Sequence, residues 1–250
     1  MIPIILLTAA ALIPPIILMV FIYKQDKTEP EPMGLIVQLL ILGALTVVAA
    51  GFIERVAEGF FLPLTGLSPN STLYKLILYF FIVAWTEEGV KHFVLNRVTW
   101  TNPAFDYTFD AMVYAVAISL GFAAAENISY VFSFGLATAL TRAVTAIPGH
   151  CIFAVYMGYF YGMSRYYFTH FQPRRSGIYM KLSMIFPILI HGFYDFIISL
   201  DKPFITLLFL IYLIALDIAA ILTVKRFQKR TQPSELCPLF VNPLSSQREQ

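Results

Sequence analysis

Long apolar runs constrain the fold of this chain more than any other feature. A helix needs about 20 mostly apolar residues to cross the hydrocarbon core of a bilayer. Seven such runs are present, at 2–23, 33–53, 73–96, 109–131, 133–163, 180–200 and 203–224. Hydrophobic residues make up 58% of the 250, and the mean hydropathy is +0.73. The sequence therefore predicts an all-α, polytopic transmembrane bundle, with residues 1–230 as one domain and 231–250 as a disordered polar tail.

The basic residues predict how the bundle is oriented, because Lys and Arg are enriched in cytoplasmic flanks. With seven spans and the amino terminus outside, 12 Lys and Arg residues lie inside and 3 outside. If the run 133–163 instead splits at Pro148-Gly149 into two spans, the count is 11 to 4. The halves of that run would be short for spans, which favours seven over eight. Both alternatives place the carboxyl terminus in the cytoplasm.

Two adjacent glutamates, Glu87 and Glu88, lie in the middle of an apolar run. Charged groups at that depth cost about 2.5–3.5 kcal/mol each even on lenient scales, so they mark functional sites. On a helix, Lys91 reaches both carboxylates at i+4 and i+3. Two carboxylates this close cannot both ionise cheaply, so we expect one ionised and one protonated, as acid/base chemistry requires. The structural alternative is an ion pair that only locks two helices together.

Later runs repeat this pattern of ionisable residues. Asp110 begins a run, where it can cap the helix or accept a hydrogen bond from Tyr114. Glu126 follows small residues at 121 and 123–125, which predict a tight helix–helix seam. Arg142 and His150 share one helix face, and the arginine is a natural counter-ion for the carboxylates. His191 and Asp195 are i,i+4 neighbours, so the carboxylate either orients the imidazole or joins it as a metal ligand.

Taken in order, these residues resemble the PrsW family of intramembrane proteases, within the superfamily that includes the type II CAAX prenyl endopeptidases. The motif core runs from 85 to 195, and the chain departs from the family at Ala111 and Ala115, where glycine is usual. The motifs are Glu87-Glu88-xx-Lys91, Phe109-Asp110-xxx-Tyr114, Glu126-Asn127-xx-Tyr130, His150 after a proline, and His191-Gly192-xx-Asp195.

The resemblance implies an intramembrane endopeptidase of the bacterial inner membrane. Its substrate would be a membrane-anchored protein, for example a regulator such as an anti-sigma factor. The implied partners are this substrate and the lipid bilayer, with no nucleic acid, and no particular oligomeric state is implied. The predicted catalytic residues are Glu87, Glu88, His150 and His191, with Lys91, Asp110, Glu126, Tyr130, Arg142 and Asp195 in support.

Two chemical schemes stay open at this point. In the metal scheme, His150, His191 and Glu126 hold a zinc ion with one open coordination position. In the glutamate scheme, Glu88 activates water directly while Glu87 pairs with Lys91. Adjacent glutamates beside a lysine form a coupled acid/base pair without any metal, so we favour no obligatory metal, with zinc as the alternative.

Two other classes of function compete with proteolysis. Intramembrane Glu, His, Asp and Lys are also the parts of proton relays, which makes a proton-coupled transporter or ion pathway the alternative. That class is expected to show inverted repeats with paired broken helices, whereas only one break, near Pro148, is visible in the sequence. A non-catalytic membrane scaffold, in which the polar groups only hold helices together, is the third reading.

Overall fold

A computed structural model of the protein describes residues 4–200 and 202–236, and every regular element in these ranges is a helix. Six helical segments are long and apolar enough to cross a membrane, with α5 and α6 counted as one. The predicted all-α membrane bundle is confirmed. The helices are α1 (Ile4–Tyr23), α2 (Met33–Leu64), α3 (72–99), α4 (Asp110–Phe134), α5 (Leu136–Val144), α6 (Ala146–Thr169), α7 (Pro173–Ser199) and α8 (Pro203–Lys229).

The run 133–163 is interrupted, although not where the sequence suggested. Gly135, with φ of +87°, ends α4, and α5 then runs for only nine residues before a break at Thr145. Pro148 and Gly149 lie inside α6. Pro148 is the third residue of that helix and lies in its first turn. The backbone N–H groups of the first turn make no hydrogen bond within the helix, so a proline there removes none. The break therefore lies before the proline.

Helix α4 is the centre of the bundle. Residues 110–123 are all buried, as expected for a helix that is apolar on every side. It packs very closely against α2, because a Cβ added at Gly121 would lie 2.1 Å from the carbonyl oxygen of Leu40. Gly43 meets Ile118 in the same way, at 2.0 Å. The predicted small-residue seam around residue 121 is confirmed.

Helix α6 contacts the other side of α4 through glycines. A Cβ added at Gly158 would lie 2.4 Å from the Cα of Met112, and one at Gly162 would lie 2.2 Å from the Thr108 carbonyl oxygen. Ala111 itself is fully buried in this seam. The room for close packing here is supplied by glycines of α6 opposite the alanine of α4.

The segment after α8 folds back onto the loop between α3 and α4. The Thr108 amide donates to the Gln232 carbonyl at 2.9 Å, and Ser234 N donates to the Asp106 carbonyl at 2.6 Å. Arg165 Nε donates to the Ser234 carbonyl at 2.9 Å. Residues 231–236, predicted to be disordered, are therefore packed against the bundle, while the rest of that tail, with Cys237, lies outside the described residues.

Candidate active site

Polar side chains from five helices converge inside the bundle into one continuous network. They include nearly all the residues that the sequence predicted for the site. Tyr130 lies beside them, and the centroid of its ring is 4.1 Å from the Arg142 guanidinium. The members of this polar network are Glu87, Glu88 and Lys91 of α3, Glu126 of α4, Arg142 of α5, His150 of α6, and His191 and Asp195 of α7.

Lys91 lies between the two adjacent glutamates. Its Nζ is 2.8 Å from Glu88 Oε1 and 3.2 Å from Glu87 Oε2, and it also lies 3.9 Å from the ring centroid of Phe122. Lys91 and Glu88 are 1% and 0% exposed. The helical spacing predicted this pairing correctly. The expected division, with Glu87 as the lysine partner, is not what the structure has, since Lys91 contacts both carboxylates and lies closer to Glu88.

His191 connects Glu88 to Asp195. Its Nδ1 lies 3.0 Å from Glu88 Oε1, and its Nε2 lies 3.2 Å from Asp195 Oδ2. A carboxylate on one ring nitrogen fixes the ring orientation and the properties of the other nitrogen. The contact expected from the i,i+4 spacing of His191 and Asp195 is present. Gly192 allows this approach, because a Cβ there would lie 2.7 Å from the ring of Phe80 on α3.

His150 links Lys91 to Glu126. Its Nδ1 is 3.3 Å from Lys91 Nζ, and its Nε2 is 3.0 Å from Glu126 Oε2. An ammonium group only donates, so Nδ1 accepts and the ring proton sits on Nε2, from which it is donated to Glu126. In this arrangement His150 is a neutral imidazole that fixes a carboxylate.

The short helix α5 supplies the second cation of the network. Arg142 Nη2 donates to Glu126 Oε2 at 2.7 Å, and its Nε donates to Asn127 Oδ1 at 2.9 Å. Asn127 Nδ2 in turn donates to the Ala11 carbonyl at 3.0 Å, which connects the network to α1. The ion pair expected between Arg142 and a carboxylate is present. Asn127, which the motif contains but to which the sequence assigned no role, joins the network to α1.

Asp110 lies apart from this network. It precedes Glu126 by sixteen residues on α4, which is about 24 Å at 1.5 Å per residue. Asp110 Oδ2 accepts from the amides of Asp106 and Tyr107, at 3.0 and 2.6 Å. Both amides precede α4, so the carboxylate fixes the loop before the helix, and the prediction that it caps the helix is wrong. The alternative bond from Tyr114 is not formed either, because that hydroxyl lies within hydrogen-bonding distance of Glu31 Oε2 and of the Ala104 carbonyl, and its single proton is shared between these two.

Glu54 of α2 is a further acidic group that sequence reasoning missed, since its segment suggested only an interfacial stretch. Its Oε1 is buried without a hydrogen-bond partner among the described residues. It interacts electrostatically with Glu126, His191 and Lys91. Its signal was a carboxylate directly after the apolar run of 33–53.

The residues fit a metal ion. Ligand atoms of Glu87, Glu88 and His191 all lie within 4.8 Å of one another, and carboxylate oxygen and imidazole nitrogen are both atoms that bind zinc. Glu88 Oε2 is buried and has no hydrogen-bond partner among the described residues, so a donor is available. This set differs from the predicted His150, His191 and Glu126. In the structure Lys91 occupies Nδ1 of His150, and Arg142 holds Glu126.

Comparison with known proteins assigns the family. Residues 31–222 match the PrsW family, described as intramembrane metalloproteases. The chain belongs to the PrsW family. It is 34% identical to Protease PrsW of Oceanobacillus iheyensis, over 89% of this chain and 96% of that protein. It is also 30% identical to Protease PrsW of Geobacillus kaustophilus, over 93% and 97% of the two chains. No solved structure matches the chain.

PrsW membership confirms the predicted activity, an intramembrane protease of the bacterial membrane. The matched residues contain the whole polar network, from Glu87 to Asp195. A protease embedded in this way implies a protein substrate and a surrounding bilayer.

Proposed function

We propose that the polar network hydrolyses a peptide bond in or near the membrane-embedded part of a membrane-anchored protein. The observation that supports this most is Glu88 Oε2, a buried carboxylate oxygen with no hydrogen-bond partner among the described residues. Its sister oxygen is held by Lys91 and His191. Glu88 therefore presents a fixed, free acceptor to a water molecule or a ligand, which fits a general base or a metal ligand.

The other network residues position this centre. Asp195 orients His191, and Lys91 offsets the charge of the adjacent glutamates. Glu87 has Lys91 as its hydrogen-bond partner in the described part of the chain and is the second group able to exchange a proton with water. In hydrolysis one of these carboxylates takes a proton from the attacking water, and a proton is returned to the leaving amine nitrogen.

Substrate approach is expected from the side of Glu126 and Asp195. The exposed fraction of the side chain rises from 0% for Glu88 to 19% for Glu126 and 23% for Asp195. Trp85 and Tyr130, which are 49% and 40% exposed, lie near these residues in sequence. An unwound substrate segment entering at this edge would meet the acidic groups before it reached Glu88.

We further propose that the enzyme is metal-dependent, with Glu87, Glu88 and His191 as the ligands. A zinc ion there would polarise the scissile carbonyl and make water a stronger nucleophile. The preference for no obligatory metal, drawn from the adjacent glutamates, is replaced because the structure adds His191 to that pair. With Asp195 on Nε2, Nδ1 is the nitrogen of His191 that would hold the ion, and it would exchange its 3.0 Å contact with Glu88 Oε1 for that bond.

Metal content tests this proposal directly. Purified protein is expected to contain close to one zinc per chain by elemental analysis, and substitution of His191 by Asn should lower that content several-fold. His92→Asn, a histidine of the same helix as Glu88 whose Nε2 contacts Ser183, is the matched control and should keep the metal. Full cleavage activity in a metal-free preparation would contradict a metal-dependent mechanism.

We propose seven membrane crossings with the carboxyl terminus in the cytoplasm. Helix α5, at nine residues, is about 14 Å long and too short to span. The remaining seven helices alternate in direction, so that residues 24–32, 100–109 and 231–236 share one end of the bundle. The 12 to 3 distribution of basic residues supports a cytoplasmic location for that end.

The substrate we propose is a single-span regulator such as an anti-sigma factor, as the family resemblance implies. The test is co-reconstitution of the purified enzyme with a fluorescently tagged single-span anti-sigma factor from the same cell. A product cut within or beside the span supports the proposal, whereas cleavage of an unrelated single-span protein and not of the anti-sigma factor overturns this substrate class.

A further inference from the structure

A second buried acidic cluster lies at the opposite end of α4 from Glu126. Asp26 and Glu31 come from the loop between α1 and α2, and Asp110 is the first residue of α4. They are 7%, 3% and 1% exposed. One ligand oxygen from each lies within 4.8 Å of the others. The active-site network neither contains nor contacts these three residues.

The surroundings of this acidic cluster do not neutralise three carboxylates. Among the described residues, none of the three forms an ion pair with Lys, Arg or His. Arg165 of α6 faces Asp110, but its guanidinium donates to the backbone carbonyls of Trp100, Phe105 and Ser234. Asp106 and Glu29 add further negative charge nearby. Carboxylates buried in this way need a bound cation or protons.

Asp26 gives a second and independent indication of a ligand. Its Oδ2 is buried and has no hydrogen-bond partner among the described residues. Water cannot supply that partner readily, because the residue is only 7% exposed. An unpartnered carboxylate oxygen beside two others is an open coordination position.

We propose that Asp26, Glu31 and Asp110 bind a divalent cation of the oxygen-seeking class, Ca²⁺, Mg²⁺ or Mn²⁺. The donors are all oxygens, which suits these hard cations and not zinc or copper. A cavity of about 240 Å³ lies beside the cluster and is lined by Glu31 together with Glu29 and Asp106. A cation there would join the α1–α2 loop to the start of α4, at the end of the bundle remote from the active site.

Manganese binding followed by electron paramagnetic resonance tests the proposal on the full chain in detergent. The protein is stripped with a chelator and carries Glu88→Gln, so that binding at the active site is weakened. We expect close to one Mn²⁺ per chain, displaced by excess Ca²⁺ or Mg²⁺. Asp26→Asn should weaken this binding at least tenfold. Glu29→Gln, a change of an exposed acid that lines the same cavity, should leave it within twofold.

The opposing results are equally specific. Absence of Mn²⁺ binding in the Glu88→Gln protein, or binding that Asp26→Asn and Glu31→Gln both leave unchanged, overturns the proposal. A different outcome would identify a cluster that shares protons and binds no cation. In that case Asp26→Asn is more thermally stable than its parent in chelator, and neither Ca²⁺ nor Mg²⁺ changes the thermal stability of either protein. If Asp26→Asn does not fold, the parent protein alone tests the proposal. Stoichiometric Mn²⁺ binding that Ca²⁺ or Mg²⁺ displaces supports the cation site, and absence of this binding overturns it.

Discussion

Lys91 holds the acidic centre of the membrane site together. Its ammonium contacts Glu87, Glu88 and His150 within 3.3 Å and is 1% exposed. Removing one partner of a buried ion pair leaves an uncompensated charge, which costs about 3–5 kcal/mol. The positive charge matters here more than the packing of the lysine stem, because two carboxylates depend on it.

Lys91→Met, which keeps the stem and removes the charge, is therefore expected to lower the free energy of unfolding by about 3 kcal/mol. Denaturant unfolding in detergent micelles measures it. Lys181→Met, at an exposed lysine of α7, is the control and should change the stability by less than about 0.5 kcal/mol. If Lys91→Met were as stable as the control, Glu87 and Glu88 would not need the lysine charge, and the prediction would be wrong.

Asp195 is a positioning residue for His191. Asp195→Asn keeps the shape and removes the charge at Nε2, and losses of this kind cost about 10–100-fold in activity or metal affinity. We expect kcat to fall by that factor with KM nearly unchanged, zinc content to fall with it, and Asp195→Glu to restore part of both. Asp217→Asn on α8, the matched control, should behave as wild type. Wild-type kcat and zinc content in Asp195→Asn would exclude the positioning role.

At this scale the sequence predicted contacts within one helix, and it missed most of those between helices, with the Arg142–Glu126 ion pair as an exception. Glu88–Lys91 and His191–Asp195 follow from i,i+3 and i,i+4 spacing, because neighbours on a helix face are fixed by its period. His150 against Lys91, and Tyr114 against Glu31, depend on how helices rotate against one another. Helical periodicity predicts which face is polar, but it does not predict which residue of another helix meets that face.

Helices α2 and α4 pack backbone to backbone, and glycine is required at the crossing. A Cβ at Gly43 would lie 2.0 Å from the Ile118 carbonyl oxygen, which no rotamer change can relieve. Gly43→Ala must push the helices apart, and overpacking of this kind costs about 1–3 kcal/mol or more. Unfolding in detergent should show this loss.

Gly51→Ala is the matched control for that substitution. It lies on the same helix α2, with nothing within 4 Å of its added Cβ. Because alanine is the better helix former, Gly51→Ala should be neutral or stabilising by up to about 1 kcal/mol. Equal stability of the Gly43→Ala and Gly51→Ala proteins would mean that the α2–α4 contact is looser than described.

The elements were largely predictable, because apolar length specifies a membrane helix. The run 203–224 became Pro203–Lys229, extended by a turn of basic residues, and 180–200 became Pro173–Ser199, extended to a proline at the first position. The break at Thr145 was not predictable from the proline. A proline in the first turn is compatible with a helix. The break lies at Thr145, whose φ of −124° and ψ of −77° are not helical, and the Arg142–Glu126 ion pair joins the short α5 to α4.

At the scale of the whole molecule, the acidic cluster and the active-site network lie at opposite ends of α4. The cytoplasmic end proposed above holds Asp26, Glu31 and the packed segment 231–236, while Glu126 and α5 lie toward the other end. Of these two centres, only the membrane network was recognisable in the sequence. The acidic cluster joins Asp110 to Asp26 and Glu31, which precede it by 84 and 79 positions, and no local sequence pattern encodes such a separation.

Cysteine labelling in intact cells tests this topology. In a chain with Cys151 and Cys237 replaced by serine, Thr28→Cys and Gln232→Cys should be protected from a membrane-impermeant maleimide, whereas Ser68→Cys should react. All three positions are exposed on the protein. The permeant reagent, which should label all three, is the control. Labelling of Thr28→Cys and Gln232→Cys on opposite sides of the membrane would exclude seven crossings.

The central claim is that Glu88 performs chemistry at the centre of a buried network. Cleavage of a single-span substrate in proteoliposomes by Glu88→Gln, compared with Glu58→Gln at an exposed glutamate of α2, measures it most directly. We predict that Glu88→Gln inserts and folds normally but loses at least about 10³-fold in kcat/KM, because removing an essential catalytic group typically costs that much or more. Glu58→Gln should retain wild-type activity. Cleavage by folded Glu88→Gln at the rate of Glu58→Gln would contradict the account.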